Sequence, residues 1–180
     1  MKNEDRKKLV QMLKKEGRII QKNVEKAFLE IPRDAFIPEH LKKHAYVDTP
    51  LQIGQRQTIS APHMVAIMVE ALDIKIGQKI LEIGTGSGYH AAIVSKLIGE
   101  KGHIYTIERH KQLVETSKQN LNRIGIKNIT VTHGDGSEGL SKHAPFDIIY
   151  VTCAAPILPH PLIDQLKEKG KLLIPIGKTI

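Results

Sequence analysis

A chain of 180 residues, 41% hydrophobic and 26% charged, has the composition of one globular domain large enough to bury a core. The charged start "MKNEDRKKL" argues against a secretory leader, no apolar run approaches the roughly 20 residues of a membrane helix, and the single Cys153 excludes an internal disulfide, which suits the reducing cytoplasm. A net charge of +8 brings nucleic acid to mind as a partner, but the cations are scattered and aromatics are 4% with no Trp, which disfavours it.

In chain order, "RKKLVQMLKKEGR" carries Leu9, Met12 and Leu13 at helical spacing, which predicts an amphipathic helix with a wet cationic face. Val24, Ala27, Phe28 and Ile31 fall at i, i+3, i+4 and i+7 and predict a second helix, stopped before Pro32. The stretch from Arg33 to Thr58 has little periodicity and reads as an irregular connection. Within it His40 and His44 stand four apart, a helical metal-pair spacing, but no third ligand accompanies them, so a solvent-facing pair is expected and no metal. "QTISAPHM", residues 57–64, reads as a helix start with Ser60 as N-cap. Pro62 has no N–H, so that cap would serve the amide of His63. Met64, Ile67, Met68 and Ala71 would form the helix's core-facing stripe.

From Lys79 onward short β-rich runs alternate with helical ones: "KILEIG", "YHAAIVSKLIG", "HIYTIE", "HKQLVETSKQNLNRIG", "NITVTH", "FDIIYVT", "HPLIDQLKEKG" and "KLLIPIG". This alternation predicts an α/β, Rossmann-like doubly wound sheet of five parallel strands, with helices on both faces and the N-terminal helices as an appendage. The chain is expected to be a single domain, residues 1–60 giving the N-terminal helices and a covering segment, residues 61–180 the α/β core.

"LEIGTGSGYH" places Gly84, Gly86 and Gly88 after a strand and before a helix, where a ligand can approach the backbone and meet the helix N-terminus. The spacing is G-x-G-x-G, one residue short of the dinucleotide fingerprint. Glu82 beside it would repel a pyrophosphate and suit the cationic methionine portion of S-adenosylmethionine. Glu108, about 20 residues beyond the loop at the next strand end, stands where a carboxylate grips ribose hydroxyls. Asp135 and Gly136, at the third strand end, would border the adenine. Cys153 in "VTCAAP" reads as a small buried residue.

With these motifs in place the chain resembles the protein-L-isoaspartate O-methyltransferase family of class I methyltransferases. The pieces that carry the resemblance are "YVDTPLQIG", "QTISAPHM", "LEIGTGSGYHAA", "IER", "GDGSEG", "APFDIIYVTCAAP" and "LIDQLKEKGKLLIPIG". The resemblance implies methyl transfer from S-adenosylmethionine to the α-carboxylate of isoaspartyl residues in aged proteins, followed by spontaneous closure to a succinimide. It implies Ser60 as the active-site serine, and Gln57, Thr58, Ile59, Ser60, Gly84, Gly86 and Ser87 along the cofactor. Glu108 with Arg109 would hold the ribose and its neighbourhood, and Asp135 and Gly136 the base. It also implies a cytoplasmic monomer acting on isoaspartyl proteins and peptides. The family's sheet usually has seven strands, and only "KTI" comes after the fifth here, so the closing hairpin is missing from the expected fold. A hydrophobic fifth-strand edge would then invite association, and the chain is expected to be a fragment or to rely on a partner that covers that edge. The rival readings are a nucleic-acid methyltransferase and a non-catalytic S-adenosylmethionine-binding module.

Overall fold

The computed structural model describes residues 2–177, so the "KTI" end lies outside the described residues. Helix α1 (Lys2–Lys15) buries Leu9, Val10 and Leu13 and leaves Lys7, Lys8, Lys14 and Lys15 exposed. Helix α2 (Lys22–Glu30) buries Val24, Ala27 and Phe28. It ends where Ile31 turns extended, because the ring of Pro32 disfavours helical backbone in the residue before it. Two 3-10 turns come next, Arg33–Phe36 and Glu39–His44, and the second carries His40 and His44 on exposed positions.

The stretch expected to be irregular contains a hairpin, β1 (Leu51–Gly54) and β2 (Gln57–Ile59), paired antiparallel. Gln55 and Arg56 form its tip with φ of 52° and 56°. Two successive positive φ values are the geometry of a type I′ turn, which sequences usually signal by Asn-Gly. With Gln-Arg at the tip and strands of four and three residues, neither turn chemistry nor alternation announces the element.

Helix α3 (Pro62–Leu72) corrects two expectations. Its N-cap is Ala61, not Ser60, and the amide of His63 donates to Asp48 Oδ1 at 2.9 Å. Its buried side is Val65, Ala66, Met68, Val69 and Leu72, while Met64, Ile67 and Ala71 face outward. The segment "PHMVAIMVEAL" is apolar almost all round, so periodicity alone cannot choose its inner face.

The remaining elements are β3 (Lys79–Ile83), α4 (Tyr89–Ile98), β4 (His103–Glu108), α5 (Lys111–Arg123), β5 (Ile129–His133), β6 (Phe146–Val151), α6 (His160–Asp164) and β7 (Leu166–Leu173). The five later strands form one sheet in the order β5-β4-β3-β6-β7, with every pair parallel. Because side chains alternate along a strand, β3 serves two cores. Ile80 joins Ile104, Ile148 and Tyr150 in a cluster with α1, α2, α3 and α4, and Leu81 and Ile83 join Ile107, Ile149, Val151 and Leu162 on the other face.

The last helix is shorter than the pattern "HPLIDQLKEKG" predicts. That pattern extends helix to Gly170, but α6 stops at Asp164 and Leu166 already pairs with Phe146. Between Leu166 and Lys171 the strand bulges, with Lys169 at φ 62°. Edge strand β7 therefore carries Lys167, Lys169 and Lys171 on exposed positions, with Leu172 and Leu173 half-buried. Charge and a bulge are what blunt an edge against pairing, so the edge is less hydrophobic than "KLLIPIG" suggests.

Candidate active site

The chain runs outward from β3 to β4 and β5, then returns to place β6 on the other side of β3. Ligand crevices in open parallel sheets form at the carboxyl ends of strands where the order reverses. A cavity lies at that point. Its walls are Gly84, Thr85, Gly86 and Ser87 after β3, Glu108 at the end of β4, Thr152 and Cys153 after β6, Tyr89 and His90 of α4, Val65 of α3, and Gln57–Ser60.

The glycine loop is held by its neighbours. Gly84 N and Thr85 N both donate to Ile107 O, and Thr152 Oγ1 donates to Gly84 O at 2.7 Å. Gly84 sits at φ +94°, and a Cβ there would run into the Thr152 hydroxyl. Gly86 N donates to Glu108 Oε2 at 2.9 Å, and His110 N to Oε1 at 2.9 Å. Each carboxylate oxygen has a second lone pair, so Glu108 keeps acceptor capacity for a pair of ribose hydroxyls. Helix α4 starts at the loop, and its first amides lack partners within the helix.

The covering segment is placed by two residues that the sequence did not single out. Arg33 is fully buried, and its guanidinium donates to three carbonyls: Ala45 O at 2.7 Å, Thr49 O at 3.0 Å and Ser60 O at 3.0 Å. Burial pulls its pKa below the usual arginine value, against the nearby Tyr89, Asp48 and Tyr46. Asp48 receives His63 N with one oxygen and His63 Nδ1, at 2.9 Å, with the other. The His63 amide, expected to need Ser60 as its acceptor, is thereby satisfied, and Pro62 offers none. The N-terminus of α3 is therefore not open to a substrate carboxylate. Ser60 is half-buried, lines the cavity, and its hydroxyl makes no hydrogen bond among the described residues.

A buried polar layer lies beneath the loop. Glu82 has no exposed surface, and its register partners are Thr106 on β4 and Tyr150 on β6. Thr106 Oγ1 donates to Oε2 at 2.6 Å and Tyr150 OH to Oε1 at 2.9 Å. Burial pushes the Glu82 carboxyl up to about 8, against those two hydrogen bonds and with help from the charge of Glu108. The negative charge expected of Glu82 is thus mostly quenched at neutral pH, because desolvation outweighs its donors. His90 lies on Tyr150 with ring centroids 4.7 Å apart, and its Nε2 is buried without a partner. Burial alone lowers its pKa to about 3, so the imidazole is neutral.

The structure does not gather every expected residue. Arg109 is exposed, with Nε on His110 Nε2 at 3.1 Å. Asp135 is exposed and accepts from Ser137 N and Oγ, which hold its carboxyl below the usual range. Gly136 is packed on Ile83, with no room for a Cβ. These three stand beyond Glu108, outside the cavity walls. Cys153, expected to be buried, is exposed at the cavity rim, two residues past Val151, where β6 and its buried run end. Among the described residues no three His, Cys, Asp or Glu side chains stand together to hold a metal ion, and no helix is long and apolar enough to cross a membrane.

The family model for protein-L-isoaspartate(D-aspartate) O-methyltransferase matches residues 3–180. The chain belongs to that family. The protein-L-isoaspartate O-methyltransferase of Methanothermobacter thermautotrophicus is 51% identical over 174 residues, which are 97% of this chain and 80% of that protein. The protein of the same name from Pyrococcus horikoshii is 53% identical over 171 residues, 95% of this chain and 77% of its own length. A solved protein-L-isoaspartate O-methyltransferase superimposes with a TM-score of 0.87 at 37% identity, covering 95% of this chain and 55% of that one. A Plasmodium falciparum member in complex with S-adenosyl-L-homocysteine gives a TM-score of 0.86 at 32% identity, covering 96% and 84%.

Proposed function

We propose that this chain methylates the α-carboxylate of L-isoaspartyl residues in damaged proteins, using S-adenosylmethionine, and so starts their repair through a succinimide. The observation that carries this reading is the segment Gln57–Ser60, laid by the β1–β2 hairpin onto the same cavity as the glycine loop, with a serine hydroxyl left uncommitted. The donor set suits the cofactor: a loop of small residues, a helix start, and Glu108 with acceptor capacity at the neighbouring strand end.

In this reading Gly84, Gly86 and Ser87 let the ligand approach the backbone, Glu108 with Arg109 takes the ribose side, and Asp135 with Gly136 the base. Residues 1–60 serve as the cover and residues 61–180 as the cofactor-binding core. When bound, S-adenosylmethionine supplies a methyl group activated by its positive sulfur. The chain's own task is alignment and exclusion of water. Ser60 donates a hydrogen bond to a carboxylate that is already ionised, since a terminal-type carboxyl titrates near 3.5, so no residue has to remove a proton. Positioning of this kind lowers a barrier by up to roughly 7–11 kcal/mol. The substrates are isoaspartyl proteins and peptides in the cytoplasm, and the working form is a monomer.

The test is transfer of a labelled methyl group to an isoaspartyl peptide, to the same peptide with normal aspartate, and to RNA. Label on the isoaspartyl peptide alone is expected. Label on RNA, or cofactor binding with no transfer to any of the three, would overturn the reading.

A further inference from the structure

The glycine loop rests on a carboxyl group that has no counter-ion among the described residues. Glu82 is completely buried at the centre of the sheet, and the groups that face it are few. From β4 come the Thr106 hydroxyl at 2.6 Å and the more distant charge of Glu108, and from β6 the Tyr150 hydroxyl at 2.9 Å. From α4, the neutral ring of His90 covers Tyr150. Thr85 closes the layer, its hydroxyl 2.7 Å from that of Thr106, and Thr85 itself lines the cavity. Among the described residues the one full charge acting on Glu82 is therefore Glu108, of the same sign. A buried acid so placed is held neutral until a positive charge arrives nearby.

We propose that Glu82 senses the charge on the cofactor's sulfur: its carboxyl is neutral in the free protein, ionises by releasing its proton to solvent when the sulfonium enters, and is neutral again once the sulfur has become a thioether. The proposal rests on the cofactor assignment made above. The proton goes to bulk water on binding and returns from it after transfer. The consequence is discrimination. The ionised carboxylate favours S-adenosylmethionine over S-adenosylhomocysteine, and the preference grows as the pH rises toward the carboxyl's own titration near 8. The hydroxyls of Thr106 and Tyr150 are already aimed at its two oxygens and stabilise the anion when it forms.

Calorimetric titration with each ligand from pH 6 to pH 9, in buffers of different ionisation heat, reads this directly. S-adenosylmethionine should release a fraction of a proton near neutral pH, and its affinity relative to S-adenosylhomocysteine should rise several-fold across the range. In Glu82→Gln both effects should disappear while both ligands still bind. The α-amino group common to the ligands titrates alike in parent and variant, so it cancels from that comparison. Tyr150→Phe removes one donor to the anion and should move the rise to higher pH, which keeps the test available if Glu82→Gln does not fold. A preference that is flat with pH, or one unchanged in Glu82→Gln or Tyr150→Phe, overturns the proposal. Binding of neither ligand at any pH removes the cofactor assignment itself, and this proposal with it.

Discussion

Arg33 Nη2 donates to the carbonyl oxygen of Ser60 at 3.0 Å from a position with no exposed surface. The same guanidinium holds Ala45 O and Thr49 O, so one side chain ties two turns of the covering segment to the residue proposed to meet the substrate. A planar fork with several donors can do this where a lysine ammonium cannot. Arg33→Met should therefore cost roughly 3 kcal/mol of stability, since three carbonyls, that of Ala45 buried and those of Thr49 and Ser60 part-buried, lose their donor together. Arg33→Lys should recover only part of it. Urea denaturation of the three proteins measures this. A loss below about 1 kcal/mol in Arg33→Met would show that the clamp is dispensable.

Asp48 uses both oxygens on His63, one on the backbone amide and one on Nδ1. It is thus the side-chain cap that α3 lacks at its own N-cap position, Ala61. Asp48→Ala should cost about 1 kcal/mol, the usual worth of a lost cap. It should also free the His63 ring and raise KM for the peptide more than it lowers kcat. Steady-state kinetics on an isoaspartyl peptide, with a melting curve, would test both halves, and unaltered values in both would remove Asp48 from this role.

These two residues mark the limit of what is legible in the sequence. The alternation of β-rich and helical runs points to the parallel sheet, because strands buried on both faces must be apolar and their crossovers must be amphipathic. The glycine loop and Glu108 are legible because close ligand approach and a strand-end carboxylate leave a local signature, and the structure brings both to one cavity. Arg33 and Asp48 are not, since each acts on residues 12 to 27 positions away, through contacts that no spacing rule encodes. Ser60 looks like a cap for the same reason: Ser-x-Pro is a good local cap pattern, and a distant aspartate overrides it. The β1–β2 hairpin and the bulge in β7 are hidden because positive φ at Gln55, Arg56 and Lys169 runs against the residue types found there. The reading of Glu82 as a standing charge in the free protein misses its burial, which composition does not reveal.

His90 supplies a pH dependence of known sign. Its folded pKa is about 3 and its unfolded value about 6.5. Both states are neutral above pH 6.5. As the pH falls below that, the unfolded chain takes up a proton that the folded protein refuses, and stability is lost until the pH passes through about 3. Between pH 7 and pH 5 this amounts to about 2 kcal/mol. His90→Phe, which keeps a ring against Tyr150, should lose about that much less than the parent over the same interval. Parallel loss in the two proteins, measured by urea denaturation at both pH values, would show that the imidazole takes its proton in the folded state.

Gly84 is at φ +94° with its missing Cβ directed at Thr152. Gly84→Ala should both strain the backbone and push the end of β6 away, lowering stability by more than about 1 kcal/mol and weakening S-adenosylmethionine binding at least roughly tenfold. Calorimetry on the variant checks this, and parental affinity would mean that the loop adapts without cost.

Ser60, in the function proposed above, turns its uncommitted hydroxyl to the substrate carboxylate. The most direct measurement compares parent and Ser60→Ala in two assays on the same preparations, S-adenosylmethionine affinity by calorimetry and methyl transfer to an isoaspartyl peptide. Affinity should stay within about threefold of the parent and turnover should fall by at least tenfold, the loss of one hydrogen bond to a charged group being about 1.5–3 kcal/mol. Parental turnover in Ser60→Ala would contradict that role.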